Sequence, residues 1–200
     1  MYLEQVQEQI SGCTRCPLHE NRTQIVFGVG NPKADIMFVG EAPGANEDAQ
    51  GEPFVGNAGR LLDRLLEKAG LTRADVYITN VIKCRPPHNR DPRVTEIREC
   101  RPFLALQVEA IQPRVVVTLG KYASWYVTGV FGSMGSILET EGLTCSLGAP
   151  VPESASVPAP VVPLYHPSYL LRQGGGDRAK VIFQGTLRRL LEAKRLAGTR

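Results

Sequence analysis

Apolar residues in this chain fall into two rhythms. Four short runs are almost continuously apolar: Asp35-Ile-Met-Phe-Val-Gly40, Val76-Tyr-Ile-Thr-Asn80-Val-Ile82, Arg114-Val-Val-Val-Thr-Leu119 and Pro160-Val-Val-Pro-Leu-Tyr165. Such runs mark strands buried on both faces of a parallel sheet. Between them the spacing becomes helical. Leu3, Val6 and Ile10 share one face of a short segment ended by Ser11-Gly12, and Leu61, Leu62, Leu65 and Leu66 mark a helix from near Asn57 to Gly70. Ile97, Leu104, Val108 and Ile111 mark another, which Pro102 is expected to break or kink. Lys121 to Val127 reads as a short helix, and a closing one runs through Val181, Leu187, Leu190 and Leu191 with Asp177 as its N-cap. Strands alternating with helices predict an α/β fold, a three-layer α/β/α sandwich around a central, mainly parallel four-stranded sheet. Residues 1–200 are expected to form a single domain.

Composition narrows the class. With 42% apolar and 22% charged residues in 200, the chain has the make-up of a globular domain. No run approaches the ~20 apolar residues of a membrane span, and no basic cluster precedes an apolar stretch at the N-terminus. A soluble, cytoplasmic protein with no membrane partner is expected. The net charge of +3 permits nucleic-acid binding without demanding it. Arg outnumbers Lys, and the guanidinium fork suits phosphate, although it suits carboxylates equally well.

The cysteines and the strand ends carry the candidate chemistry. Without an export signal, five cysteines argue for a metal site rather than a disulfide framework. Cys13 and Cys16 form a C-x-x-C, Cys84 follows a predicted strand, Cys100 lies on a predicted helix, and Cys145 is left over. Gly40-Glu41, Asn80 and His166-Pro-Ser168 each follow or close a strand, and ligands of open α/β sheets bind at that edge. Taken singly each has a plainer reading: Asn80 as a turn cap, Glu41 as an arginine partner, His166 as a core imidazole. Gly28-Val-Gly30 precedes its strand and lacks a third glycine, and no phosphate-cradling G-x-x-x-x-G-K-[S/T] occurs.

Gly40-Glu-Ala-Pro-Gly44, Glu47-Asp48, Gly51-Glu-Pro-Phe-Val-Gly56, Asn80, Lys83-Cys-Arg-Pro-Pro87 and His166-Pro-Ser168 occur in one order that resembles the family 4, iron–sulfur uracil-DNA glycosylases. The resemblance runs from Cys13 to about Arg172. It implies hydrolysis of the N-glycosidic bond of uracil in DNA, with Gly40, Glu41, Ala42, Glu47, Phe54, Asn80 and His166 around the base. In that role Phe54 stacks on the flipped base and Asn80 reads its polar edge. His166 donates to uracil O2, together with the backbone N–H of Ala42. Glu41 orients or activates water, or stabilises the oxocarbenium-like sugar. Glu47 shapes the wall near C5. The resemblance gives Cys13, Cys16, Cys84 and Cys100 to a structural [4Fe–4S] cluster; spacing alone does not separate this from a Cys₄ zinc site, which the residues by themselves favour.

Arg85 heads a loop that also carries Arg90, Arg93, Arg98 and Arg101, a surface suited to DNA phosphates. After the histidine, Ser168 and Arg172 suit phosphate, while Leu170 or Leu171 is expected to wedge into the minor groove, with the other turned to the core. Two features depart from the family pattern. The proline-rich stretch Leu147–Pro160 is longer than the family needs, and His88 stands where a small residue such as glycine is commoner. Relatives with a histidine in that region trap the sugar covalently, but they carry Gln in place of Ala42 and a basic insertion absent here. Covalent trapping through His88 and non-catalytic binding of damaged or single-stranded DNA are the competing readings. A monomer is expected.

Overall fold

The structure, a computed structural model, describes residues 2–147 and 159–198. Its sheet contains β1 (Val29–Gly30), β2 (Ile36–Gly40), β3 (Tyr77–Asn80), β4 (Val115–Leu119) and β5 (Val161–Leu164), in the order β1-β3-β2-β4-β5. Strands β2 to β5 are parallel, with Gly40 opposite Asn80 and Val117 opposite Val162. Among the described residues the sheet therefore has five strands rather than four. The extra one, β1, pairs antiparallel with β3 through only two residues, too few to show a period. Its Gly30 has φ +122°, and a Cβ there would lie 2.0 Å from the Val76 carbonyl oxygen.

The helices are α1 (Leu3–Ile10), α2 (Ala45–Gln50), α3 (Asn57–Lys68), α4 (Val94–Ile111), α5 (Lys121–Thr128), α6 (Met134–Glu139), α7 (Pro167–Arg172) and α8 (Asp177–Ala197). Alternate strand residues divide between two cores. Met37, Val39 and Val116 pack with Val6 and Ile10 of α1, Phe103 and Leu104 of α4 and Val127 of α5. Ile36, Phe38, Val115 and Val117 pack with Leu62, Leu65 and Leu66 of α3 and Leu190 and Ala193 of α8. Both faces of the sheet are covered, which is why the strands read as unbroken apolar runs. This is the expected three-layer sandwich.

Two local expectations are corrected. Helix α4 continues unbroken through Pro102. Proline removes one N–H and crowds the preceding turn, but Ile97, Phe103 and Leu104 on either side of it are all buried in one core, and that packing outweighs the local loss. Helix α8 is capped by Gly176, at φ 130°, so Asp177 is its first residue, where its charge still suits the helix dipole. The short helices α2 and α6 have no predicted counterpart; at six residues each they are too brief for a periodic signal. Most of the Leu147–Pro160 stretch lies outside the described residues; at its end Pro160 bridges to Thr144. Among the described residues no helix is long and apolar enough to cross a membrane.

Candidate active site

Four parallel strands end on one edge, and the polar residues expected to matter follow their ends. Gly40 is the meeting point. A Cβ there would sit 2.3 Å from Asn80 Oδ1 and 2.6 Å from Phe54 Cζ, so only glycine lets the amide and the ring approach each other over the strand. The Phe54 ring lies 5.8 Å from the His166 ring, tilted by 33°. Gly120, at the end of β4, has φ +92° and makes room for the His166 Cβ, which a side chain would meet at 3.0 Å. Asn80, Phe54 and His166 thus come together at this edge, and Glu41 and Ala42 follow Gly40 directly, Glu41 half-buried and Ala42 partly so. Asn80 is buried, yet among the described residues its Oδ1 has no hydrogen-bond partner. Such an acceptor costs stability unless something fills it.

Phe54 is held in a strained backbone, with φ +56°. Its loop is clamped from both sides. The Glu47 carboxylate accepts from Gly44 N at 3.1 Å and from Val55 N and Gly56 N at 3.0 Å each. Arg73 donates to the Phe54 carbonyl and, at 3.1 Å, to that of Pro53, while its Nε binds Asp63 at 2.7 Å. Gly59 of α3 completes the clamp, because a Cβ there would overlap the Phe54 carbonyl oxygen at 1.7 Å. Both Glu47 oxygens are therefore occupied in tying the loop. Arg73 and Gly59 escape a reading of the sequence, since nothing in their local pattern shows a distant carbonyl.

The electrostatics of the two titratable groups differ in sign. Burial, reinforced by the Asp91 charge and partly offset by Lys121, pushes the Glu41 carboxyl up to about 7. Burial, helped by Arg172 and opposed by Glu47, pushes the His166 imidazole down to about 4. His166 Nδ1 accepts from the Ser168 backbone N–H at 3.1 Å and lies 2.8 Å from Ser168 Oγ. A backbone N–H can only donate, so the neutral ring carries its proton on Nε2. Ser168 Oγ also accepts from Arg172 Nη1 at 3.2 Å. Of the two leucines on α7, Leu170 is 7% exposed and Leu171 42%. The second is the one presented to solvent, where it borders a groove of about 500 Å³ lined by Asn57, Arg60, Asp63 and Arg64.

Cys13, Cys16, Cys84 and Cys100 line one small cavity with Arg15, Arg22 and Phe103. Arg22 Nη1 donates to the Cys13 carbonyl at 2.6 Å and to Cys84 Sγ at 3.4 Å, and Lys83 N donates to Cys100 Sγ at 3.3 Å. N–H groups aimed at sulfur suit thiolates bound to a metal centre. Burial pushes the Cys100 thiol up to about 12, so a bound centre is what would hold it as thiolate. Among the described residues no three His, Cys, Asp or Glu side chains are gathered closely enough for one metal ion. Cys145 contributes nothing to this cavity.

The five arginines of the following segment are not equivalent. Arg90 grips Glu96 with two bonds at 2.5 and 2.9 Å, Arg101 holds the Ser146 carbonyl at 2.7 Å, and Arg85 Nε donates to Asn89 at 2.8 Å. Arg93 and Arg98 are exposed. His88 is exposed too, with φ +55°, a backbone conformation that explains why glycine suits this position.

A model of the uracil DNA glycosylase superfamily matches residues 27–190. The chain is 45% identical to the type-4 uracil-DNA glycosylase of Archaeoglobus fulgidus, over 84% of this chain and 83% of that protein. It is 44% identical to the type-4 uracil-DNA glycosylase of Thermotoga maritima, over 91% and 90%. Against the type-5 uracil-DNA glycosylase of Thermus thermophilus identity falls to 31%, over 86% and 80%. The chain belongs to the uracil-DNA glycosylase superfamily, and within it to the type-4 family.

Proposed function

We propose that the protein flips uracil out of DNA and hydrolyses its N-glycosidic bond, leaving an abasic site. The observation that carries this reading is the unpartnered, buried Oδ1 of Asn80 beside the Phe54 ring. Uracil presents N3–H as a donor next to O4 as an acceptor, so one amide can accept from the first and donate to the second. Cytosine offers an amino donor in place of O4 and a bare N3. A fixed amide then faces donor with donor, at a cost of about 1–3 kcal/mol when buried. Phe54 supplies the stacking face.

As the bond breaks, negative charge spreads to uracil O2. His166 donates to it from Nε2, and a neutral imidazole needs no proton from solution to do so. One such donor is typically worth ~3–4 kcal/mol of transition-state stabilisation. The backbone N–H of Ala42 is the second donor. Glu41, in its ionised form, orients the attacking water or stabilises the cationic sugar. Glu47 acts chiefly by holding the Phe54 loop, whose edge bounds the pocket near C5. On the DNA side, Leu171 fills the gap left by the flipped base, Leu170 anchors α7 in the core, and Ser168, Arg172 and Arg85 meet phosphates.

The four cysteines lining one cavity, which Glu99 also borders, fit a [4Fe–4S] cluster, whose usual donors are four thiolates. Zinc is the less favoured occupant, since one ion needs all four sulfurs within about 2.3 Å of it. Such a cluster supplies a structural cross-link between the N-terminal segment and α4, and the hydrolysis uses no redox step. The whole chain acts as one domain, as a cytoplasmic monomer whose pocket needs no second copy.

An end-labelled oligonucleotide with one uracil tests the reading. A strand shortened only after alkali is expected. A protein–DNA band that survives denaturant would replace hydrolysis by covalent trapping through His88. An intact strand from protein with its metal centre in place would leave a binding protein.

A further inference from the structure

Lys83 is fully buried, three residues past Asn80 and one before Cys84, and no step above uses it. Its Nζ donates three hydrogen bonds of 2.6 Å each: to Thr79 Oγ1, to the main-chain carbonyl of Asn80 and to Gln107 Oε1 on α4. Three acceptors match the three N–H bonds of an ammonium. The acceptors are themselves anchored. Thr79 Oγ1 donates to the Phe27 carbonyl at 2.7 Å, and Gln107 Nε2 donates to the same carbonyl at 2.9 Å.

An apolar side chain of similar volume would fill this space without burying a charge, and such replacements are often neutral or stabilising. What it would not do is grip a main-chain oxygen. That grip matters at Asn80 because the amide oxygen above it has no polar partner of its own among the described residues. The direction of the amide must come from the backbone beneath it and from its contacts over Gly40. An amide free to turn over would present its NH₂ where uracil needs an acceptor, and would suit cytosine instead.

We propose that Lys83 is a positioning residue for base selection: it bolts the main chain of Asn80 to α4, so that the amide meets the flipped base in one orientation. The inference rests on the uracil-excising reading of the site and adds the element that makes the amide selective.

The test compares DNA carrying 2′-fluoro-2′-deoxyuridine, whose glycosidic bond resists cleavage, with the same DNA carrying cytosine, and adds single-turnover rates on ordinary uracil DNA. Lys83→Met is expected to reduce the preference for uracil over cytosine by about tenfold. The rate at saturating DNA should fall by a similar factor while KM stays within about threefold, because phosphate contacts dominate affinity. Thr79→Val, which deletes one acceptor and leaves Lys83 and every cysteine in place, is expected to lose about threefold in preference. Thr79→Ser keeps the hydroxyl and should retain the wild-type ratio. A folded Lys83→Met with the wild-type preference overturns the proposal. If that variant does not fold, an unchanged preference in Thr79→Val overturns it instead. Wild-type protein with no preference at all would sink the uracil reading itself, a distinct result from selective variants.

Discussion

At the carboxyl edge of the sheet, polar capacity is left unspent: Asn80 Oδ1 has no partner among the described residues, Phe54 sits at positive φ, and Glu41 is held far from its ordinary ionisation. Around the cysteines the polar groups turn inward. Arg22 serves Cys13 and Cys84, His19 Nδ1 donates to the Cys16 carbonyl at 2.8 Å, and Arg90 closes on Glu96. The first region is kept in order by the strands behind it and is free to spend its groups on a ligand. The second has few regular elements of its own, and under the proposed reading it depends on a centre held by its thiols. Pocket variants should therefore lose rate and keep stability, and cysteine variants should do the reverse.

The largest effect is expected from His166→Ala and Asn80→Ala, each slowing single-turnover excision by about 10²–10³-fold while DNA binding survives. Calorimetry should find both melting within about 2 °C of wild type. Asn80→Ala need not be less stable, since it removes an unsatisfied acceptor. A fall in Tm as large as that of a cysteine variant would erase the distinction. Cys100→Ala is the complementary case. With the proposed [4Fe–4S] cluster in place, it should bleach the visible absorbance and lower Tm by about 5–10 °C, with the folded fraction still excising uracil at nearly the wild-type rate.

The pH profile sharpens the pocket's side of the comparison. With Glu41 needed in its ionised form at about 7 and His166 neutral above about 4, the rate should rise close to tenfold per pH unit below 7 and level above 8. Asp91→Asn removes a negative neighbour and should move the midpoint down; Lys121→Met removes a positive one and should move it up. Stability carries the opposite sign. A carboxyl raised on folding binds more protons in the native state, so its contribution is lost as pH climbs through 7. Glu41→Gln should thus be more stable than wild type at pH 8 while losing the rise in rate. A midpoint unmoved by either neighbour would remove Glu41 as its source.

Much of this frame can be read in the chain itself. Runs such as Ile36–Gly40 and Val115–Leu119 are buried on both faces, so their apolar character survives every local ambiguity. The convergence of Glu41, Asn80 and His166 follows from strand direction alone. Sequence separation hides the supporting contacts. Arg73 reaches the Phe54 carbonyl across 19 residues and Gln107 reaches that of Phe27 across 80, and no local pattern marks either. The role of Glu47 is hidden for the opposite reason. A carboxylate in a polar, glycine-rich stretch of sequence looks available for a ligand until its two oxygens are seen taking three backbone N–H groups.

The smallest effect separates the two regions most cleanly. His88 lies in the loop that follows Cys84, exposed, in a left-handed conformation with φ +55°. A side chain there costs about 1 kcal/mol that glycine does not, partly offset by the greater freedom of glycine in the unfolded chain. His88→Gly should raise Tm by about 1–3 °C and leave single-turnover excision within twofold of wild type. Strain at Phe54, by contrast, sets the ring proposed to stack on the base, and relieving it with Phe54→Gly should cost rate. Loss of excision in His88→Gly would mean that the exposed turn takes part in the chemistry, and the division between a reading pocket and a bracing limb would have to be redrawn at residue 88.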